Sequence, residues 1–285
     1  MRNGLVALTM LGLLVPGLST KGAETCDRAC LKGFIDQYLA ALVAHDPSKL
    51  PLAKNVRFTE NTHDMKLGEG LWKEATAVQK FRQDIIDTTT HNAGSYFVVD
   101  TTSGMPALAT LRLKVIDGKI TEIETMVTRN AKEGFFFVLD GLKEPSPAMN
   151  YVPKPDELMS RADDIRVAAY YPRGLEAGSF VKVDAPFTED AYRKENGRLT
   201  AGPDCTWNPS CKNIKTQPSP TRPGLHDRLV MVDEQAGIVW HRIDWPRGVG
   251  RRLAAWEAFK VYGGKIHAVE AFLQSVPEDE TSGWK

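Results

Sequence analysis

An internal repeat is the feature that most constrains how this chain can fold. Residues 115–127 align with residues 261–273, and both segments contain a Gly-Lys-Ile triplet followed by a glutamate at the same spacing. Each segment is typical of a hairpin turn that leads into a strand. Further upstream, Glu60-Asn61 corresponds to Glu195-Asn196, and Tyr38 corresponds to Tyr170 on a predicted helix. A duplication of one small domain explains these matches most simply.

The first copy is predicted to place helices before an antiparallel sheet. Apolar residues recur at helical spacing over residues 31–45, where Asp46-Pro47 ends the helix. A second helical stretch is predicted at residues 72–87. Alternating segments then predict strands at residues 96–101, 107–116 and 119–129.

The second copy repeats this order and adds an insertion. A helix is predicted at residues 157–171, and strands are predicted at residues 228–233, 237–245, 254–261 and 265–276. The insertion, residues 203–223, contains five prolines and the second cysteine pair. It could cover a pocket or form a passive surface loop.

The chain therefore divides into four parts. Residues 1–23 form a signal peptide, residues 24–141 the first domain, residues 142–155 a proline-rich linker and residues 156–285 the second domain. The expected fold of each domain is α+β, with helices that precede an antiparallel sheet.

The N-terminal segment predicts export to a secreted or periplasmic location. Arg2 precedes an apolar run over residues 5–15, and small residues follow it, as in secretory signal peptides. A buried N-terminal helix is the alternative. The rest of the sequence has no apolar stretch near the length of a membrane span, so we expect no span in the mature protein.

Four cysteines occur as two close pairs, Cys26 with Cys30 and Cys205 with Cys211. In an oxidising compartment this pattern favours two local disulfides. A zinc site would need both pairs to converge without an interleaved histidine, and neither pair has redox-motif spacing.

Charge and motifs exclude several classes of function. Lys plus Arg (36) equals Asp plus Glu (36), so the chain lacks the basic excess of nucleic-acid binders. Phosphate-binding glycine loops, a nucleophile elbow and a His-Glu-x-x-His motif are all missing from the sequence. We therefore expect no metal, no cofactor and no nucleic-acid partner.

The order of elements, with a final strand of the form Asp-Gly-Lys-Ile-x-x-Ile, resembles the nuclear-transport-factor-2-like superfamily, which includes ketosteroid isomerases and SnoaL-like cyclases. More narrowly, residues 26–129, residues 192–211 and the C-terminal Ser275-Val-Pro277 and Gly283-Trp284 resemble a group of secreted tandem proteins of unassigned function. The resemblance implies a cone-shaped, largely apolar cavity that serves cofactor-free isomerases, cyclases, dehydratases and lyases, or non-enzymatic binders. The resemblance also implies two cone-shaped domains, each with helices packed on a curved antiparallel sheet, that form a pseudo-dimer with sheet against sheet, since single-domain relatives commonly dimerise. This chain could also form a homo-oligomer.

Cofactor-free chemistry needs a carboxylate or histidine opposite a hydrogen-bond donor. The second copy is richer in such groups, since its strands carry His226, Asp227, Arg228, His241, Arg242, Asp244, Glu257, His267 and Glu270. His241 alternates with apolar residues, which fits a core histidine or a base with a tuned pKa. The predicted catalytic residues are His241 or Glu195 as base and Tyr170 as oxyanion donor. The predicted substrate-binding residues are Tyr38, Glu60, Asn61, Asn196, Arg228 and Trp245.

Two functions remain open at this point. The first is an exported lyase, dehydratase or isomerase that acts on a small apolar or aromatic molecule, with its active site in the cavity of the second domain. The alternative is a binding protein that sequesters a hydrophobic small molecule. One of the two domains could also have a purely structural role.

Overall fold

The computed structural model describes residue 1, residues 26–278 and residue 284. From residue 2 onward, the predicted signal peptide lies outside the described residues. The first copy contains α1 (Arg28–Val43), β1 (Leu52–Glu60), β2 (His63–Asp64), β3 (Ala75–Asp87), β4 (Asn92–Thr101), β5 (Ala107–Ile116) and β6 (Lys119–Thr128). The connecting segment contains the short helices α2 (Ala131–Gly134) and α3 (Pro147–Asn150).

The second copy repeats the order. Helices α4 (Arg161–Ala168) and α5 (Tyr170–Ala177) precede β7 (Phe187–Glu195), β8 (Arg198–Ala201), β9 (His226–Asp233), β10 (Ile238–Pro246), β11 (Arg251–Tyr262) and β12 (Lys265–Pro277). Short 3-10 turns occur at Pro47–Lys49, Gly70–Lys73, Leu139–Leu142 and Pro209–Lys212.

The two sheets have equivalent topologies. Their strand orders are β2-β1-β6-β5-β4-β3 and β8-β7-β12-β11-β10-β9. The β1–β6 and β7–β12 pairs are parallel, and the other pairings are antiparallel. The structure thus confirms the predicted fold of two tandem α+β domains. Each domain packs helices on one face of its sheet, and we call the space between helices and sheet its cup.

Helix α1 shows how the sequence builds a cup. The side chain of Asp27 accepts the backbone N–H of Cys30 at 2.9 Å, which caps the helix, and the Cys26–Cys30 disulfide closes its first turn. Leu31, Ile35 and Leu42 recur on one face and are fully buried against the sheet.

The convex faces of the two sheets pack against each other, as predicted. Their shared core includes Tyr96 from the first sheet and Trp240 and Trp256 from the second. The Tyr96 hydroxyl accepts the indole N–H of Trp240 at 2.5 Å and donates to the carbonyl of Trp256 at 2.7 Å. These bonds satisfy polar groups that burial would otherwise penalise.

Two aspartates link the copies in a reciprocal arrangement. Asp87, at the end of β3, accepts a hydrogen bond from a backbone N–H of β9 at 2.9 Å and further hydrogen bonds from both terminal guanidinium nitrogens of Arg161. Asp233, at the end of β9, accepts a backbone N–H of β3 at 2.9 Å and both terminal guanidinium nitrogens of Arg28. The pseudo-twofold relation between the copies therefore extends to buried ion pairs.

The helix predicted at residues 72–87 is wrong. The segment forms a 3-10 turn that contains Trp72, followed by strand β3. Phe81, Gln83 and Ile85 are buried at every second position, and pairing with β4 satisfies the backbone. The period of the buried residues is that of a strand.

The second predicted disulfide, Cys205–Cys211, also forms. This disulfide fixes part of the insertion, because Cys211 belongs to the 3-10 turn at Pro209–Lys212. Within residues 26–278, no helix combines the length and the apolar character needed to cross a membrane.

Candidate functional site

The second cup encloses a cavity of about 540 Å³. Its walls come from α5, the strands β7, β10, β11 and β12, the insertion and the segment that follows α2. Its aromatic lining comprises Phe135, Phe136, Tyr171, Trp207 and Trp245. A cavity of this size and character suits a small organic molecule.

The insertion forms one wall of this cavity through Trp207, Gln217 and Arg222, among others. Trp207 lies within the loop that the second disulfide closes, and its indole N–H donates to the carbonyl of Thr200 at 3.2 Å. Of the two roles considered for the insertion, the structure supports the one in which it covers a pocket.

Arg193 and Glu195 project into the cavity from the end of β7. The guanidinium of Arg193 donates to the hydroxyl of Thr200 at 2.9 Å and to the Gln217 side-chain oxygen at 2.6 Å, and its Nε lies 3.4 Å from a carboxylate oxygen of Glu195. Burial is the largest influence on the pKa of Arg193 and acts to lower it, but the charge of Glu195 together with Tyr171 and Glu257 outweighs burial and raises the pKa. Arg193 is therefore a fixed cation.

Glu257 lies on β11 and is the most perturbed carboxyl of the cavity. Its side chain is 1% exposed, and its Oε2 has no hydrogen-bond partner in the described part of the chain. Burial raises the pKa of Glu257 to about 8, and the charge of Glu195 adds to this effect against the opposing charges of Arg193 and Arg222. The carboxyl is therefore mostly neutral at pH 7.

Strand register shows that the first cup lacks these groups. In the parallel strand pairs, Arg193 of the second copy pairs with Val269, and Phe58 of the first copy pairs with Ile123 at the equivalent position. In the antiparallel pairs, His241 and Glu257 of the second copy are equivalent to Ser95 and Leu111 of the first. The two copies thus differ at three cup-facing positions, where the second carries Arg193, Glu257 and His241 and the first carries Phe58, Leu111 and Ser95.

Side chains fill the interior of the first cup. Trp72, carried by the 3-10 turn, packs edge-on against Tyr38 with ring centroids 5.2 Å apart and donates its indole N–H to the tyrosine hydroxyl at 3.1 Å. Glu60 accepts the backbone N–H of Leu71 at 2.9 Å and pairs with Arg129 at 3.0 Å. Tyr38 and Glu60, both predicted to bind substrate, thus hold the core and the turn.

Asn61 and Asn196 also have structural roles. Both have positive φ angles, at 51° and 43°, at the end of the first strand of their sheets. Asn61 bonds through its side chain to both backbone groups of Val127, and Asn196 bonds in the same way to Leu273. The predicted substrate-binding role does not fit side chains whose bonds are used to fix the chain turn.

Other predicted site residues lie near the cavity or away from it. Glu195 and Trp245 line it. Tyr170 does not line the cavity, whereas its neighbour on α5, Tyr171, does. Arg228 pairs with Glu124 of the first copy at 2.6 Å and so joins the two sheets.

His241 lies beside Glu257 on the neighbouring strand and is not part of the cavity lining. Its Nδ1 is 2.6 Å from a carboxylate oxygen of Asp227, its ring packs against Phe259, and its Nε2 has no partner among the described residues. Because His241 pairs across the strands with Glu257, it supports the wall that carries this carboxyl.

Sequence reasoning named Glu257 as one strand residue among several and missed Arg193 and Arg222 as site groups. The signal for Glu257 was present, since it alternates with Leu253, Ala255 and Phe259 on an apolar face. Arg222 belongs to a loop, where alternation gives no orientation.

The family comparison agrees with the duplication. A model described as "Domain of unknown function (DUF8021)" matches residues 24–127 and again residues 157–273. The chain belongs to this family. No curated protein matches it. Among the residues that the structure describes, no three His, Cys, Asp or Glu side chains are grouped as metal ligands.

Three solved structures that are similar to part of this DUF8021 chain are each 18% identical to it. A de novo designed protein with a curved β-sheet covers 37% of this chain and 91% of its own, with a TM-score of 0.31. AclR from Streptomyces galilaeus, described as a suspected hydroxylase, covers 45% and 91%, with a TM-score of 0.30. An NTF2-like protein of unknown function from Shewanella baltica OS155 covers 41% and 94%, with a TM-score of 0.28.

Proposed function

We propose that the second cup is the active site of a cofactor-free enzyme, an isomerase, dehydratase or lyase, that acts by acid–base chemistry on a small aromatic or apolar molecule. The observation that carries this proposal is Glu257, a buried carboxyl whose Oε2 has no hydrogen-bond partner among the described residues, in a cavity that also holds Glu195 and Arg193. Two carboxyls in different environments are a common basis for separate acid and base roles.

The three groups have distinct roles in the proposed chemistry. Glu195 accepts a proton from a carbon next to a carbonyl group, and the C–H electron pair moves to form an enol or enolate. Glu257, which is neutral at pH 7, donates its proton to the developing oxyanion or to a departing hydroxyl group. Arg193 stabilises the negative charge as it forms. Return of a proton to another carbon completes an isomerisation, and loss of water completes a dehydration.

This proposal revises the roles predicted from sequence. Glu195 keeps the role of base, and Glu257 becomes the acid. Tyr171, rather than Tyr170, has its hydroxyl near Arg193 and Glu257, and burial raises the pKa of that hydroxyl. His241 becomes a positioning residue beside Glu257.

We also propose that the protein is exported to a secreted or periplasmic location. Two disulfides support this, because such bonds persist in oxidising compartments. Cell fractionation with N-terminal sequencing of the mature protein tests it. A product that stays in the cytosol with residues 1–23 intact would contradict it.

The experiment that tests the enzymatic proposal is a search for turnover without added cofactor. The purified protein is incubated with a pool of aromatic and terpenoid carbonyl compounds and alcohols, and the pool is separated by chromatography. We expect conversion by the wild type and a loss of about 100-fold or more in E257Q and E195Q. Y38F, which changes the filled first cup by one hydroxyl, is the matched control and should keep full activity.

The aromatic lining also favours the second candidate function, a binding protein. A compound that native mass spectrometry finds retained on the protein, yet unchanged after long incubation, would support the binder and remove the catalytic roles of Glu195 and Glu257. Equal conversion by wild type and E257Q would also contradict the acid–base proposal.

A further inference from the structure

The charges in the second cup do not balance. Three arginines line the cavity, Arg193, Arg222 and Arg247, against two glutamates. Arg193 is paired with Glu195, and Glu257 is mostly neutral at pH 7. Within the described residues, neither Arg222 nor Arg247 forms an ion pair with a carboxylate. The lining of the cavity therefore carries an excess of positive charge.

Arg222 is held in place but keeps unused donors. One terminal nitrogen of its guanidinium donates to the Ser219 hydroxyl at 2.6 Å and to the carbonyl of Pro220 at 2.9 Å. Its Nε is buried and has no hydrogen-bond partner in the described part of the chain. Burial lowers the pKa of Arg222, because its charge loses water without gaining a carboxylate. An anionic ligand would supply the missing acceptors, and a guanidinium fork suits a planar carboxylate.

The surroundings of Arg222 are aromatic. Its guanidinium carbon lies 5.1 Å from the centre of the Trp245 ring. Trp207 and Phe136, which meet edge-on at 5.9 Å, provide further aromatic surface in the same cavity. A flat ring system can therefore lie along these walls with a carboxylate directed at Arg222.

Arg247 adds positive charge to the same cavity. Its guanidinium carbon stacks 3.6 Å from the centre of the Phe135 ring. Since an unpaired cation on a cavity wall attracts anions as they approach, Arg247 is suited to guide the ligand.

We infer that the natural ligand of the second cup is an aromatic carboxylate and that Arg222, on the insertion, binds its carboxylate group. This inference rests on the proposed function, whose substrate class it names. Arg222 is thus a specificity-determining residue, separate from the acid–base groups Glu195 and Glu257.

Isothermal titration at pH 7 with 2-naphthoate and its neutral isostere 2-naphthamide tests the inference. For the wild type we expect 2-naphthoate to bind at least 10-fold more tightly than the amide. In R222Q this ratio should fall to near 1, and in R222K it should be intermediate because the charge remains without the fork. R166Q removes an exposed arginine on α4 and should leave the ratio unchanged.

The titration has several results that would overturn the inference. They include equal affinity for the two probes in the wild type, an unchanged ratio in folded R222Q, and no binding of either probe. Displacement of 2-naphthoate by equimolar inorganic phosphate would indicate a general anion site and would also contradict it. The wild-type ratio alone decides the matter if R222Q does not fold.

The same titration separates this inference from the enzymatic proposal. E257Q should bind 2-naphthoate with the wild-type preference although it has lost turnover. If E257Q instead keeps full turnover, the acid–base roles fail while the probe ratio still supports the ligand class. If the ratio is near 1 while E257Q is inactive, the ligand class fails and the proposed function stands.

Discussion

The raised pKa of Glu257 makes the stability of the protein depend on pH in a way that one substitution should remove. The E257Q variant replaces a mostly neutral acid by a neutral amide of the same shape. Below pH 4.5 the carboxyl is protonated in both the folded and the unfolded chain. Between pH 4.5 and about 8 the unfolded chain releases this proton and the folded protein retains it, so the stability of the wild type falls as pH rises.

The size of the effect follows from the pKa difference. Each pKa unit corresponds to about 1.4 kcal/mol, so the shift from 4.5 to about 8 sets an upper limit of ~5 kcal/mol. Over the interval from pH 5 to pH 8 we expect E257Q to gain about 3 kcal/mol in unfolding free energy relative to the wild type. The gain should level off above pH 8.

Urea unfolding followed by tryptophan fluorescence, at several pH values from 5 to 9, measures this difference. Asp164 is also buried, and burial raises its pKa to about 7, but it is present in both proteins and cancels in the comparison. D164N is the matched variant, and it should gain stability over a lower interval that ends near pH 7. A difference between E257Q and the wild type that stays constant from pH 5 to pH 8 would refute the reasoning, because Glu257 would then ionise normally in the folded protein.

Three further predictions concern stability. N196A should cost about 3 kcal/mol in unfolding free energy, because Asn196 is fully buried with four side-chain bonds, whereas the less buried N61A should cost about 1–2 kcal/mol; equal losses in urea unfolding would contradict this. The double variant C205S/C211S should lose about 2 kcal/mol and weaken 2-naphthoate binding, since the disulfide fixes the insertion; unchanged affinity by titration would contradict the wall role. D233N should cost about 3 kcal/mol because it disrupts a buried pair between the copies; a calorimetric midpoint equal to that of the wild type would contradict it.

The duplication made most of the fold predictable. Alternation located β9 to β12 closely, because each of these strands has one face in the cup and the other between the sheets. It failed at β3, where the buried positions of Phe81, Gln83 and Ile85 follow a period of two that was interpreted as helical. Predicting this strand correctly required its pairing with β4, which is a tertiary contact.

The candidate site was less predictable than the fold. Asn61 and Asn196 occur at equivalent positions because both copies need the same chain turn there, so their repetition does not indicate a binding site. The groups that distinguish the second cup, Arg193 and Glu257, instead stand where the first copy has Phe58 and Leu111. In a duplicated fold, divergence at cup-facing positions is therefore the better guide to a working site.

We propose that the two cups have diverged, one into a filled core and the other into a ligand site. A crystal structure of the protein grown with 2-naphthoate tests it most directly. We expect a naphthalene ring in the second cup along Trp245, with its carboxylate at Arg222, while Tyr38 and Trp72 still fill the first cup. Ligand density in the first cup, or a second cup without ligand at saturating concentration, would contradict it.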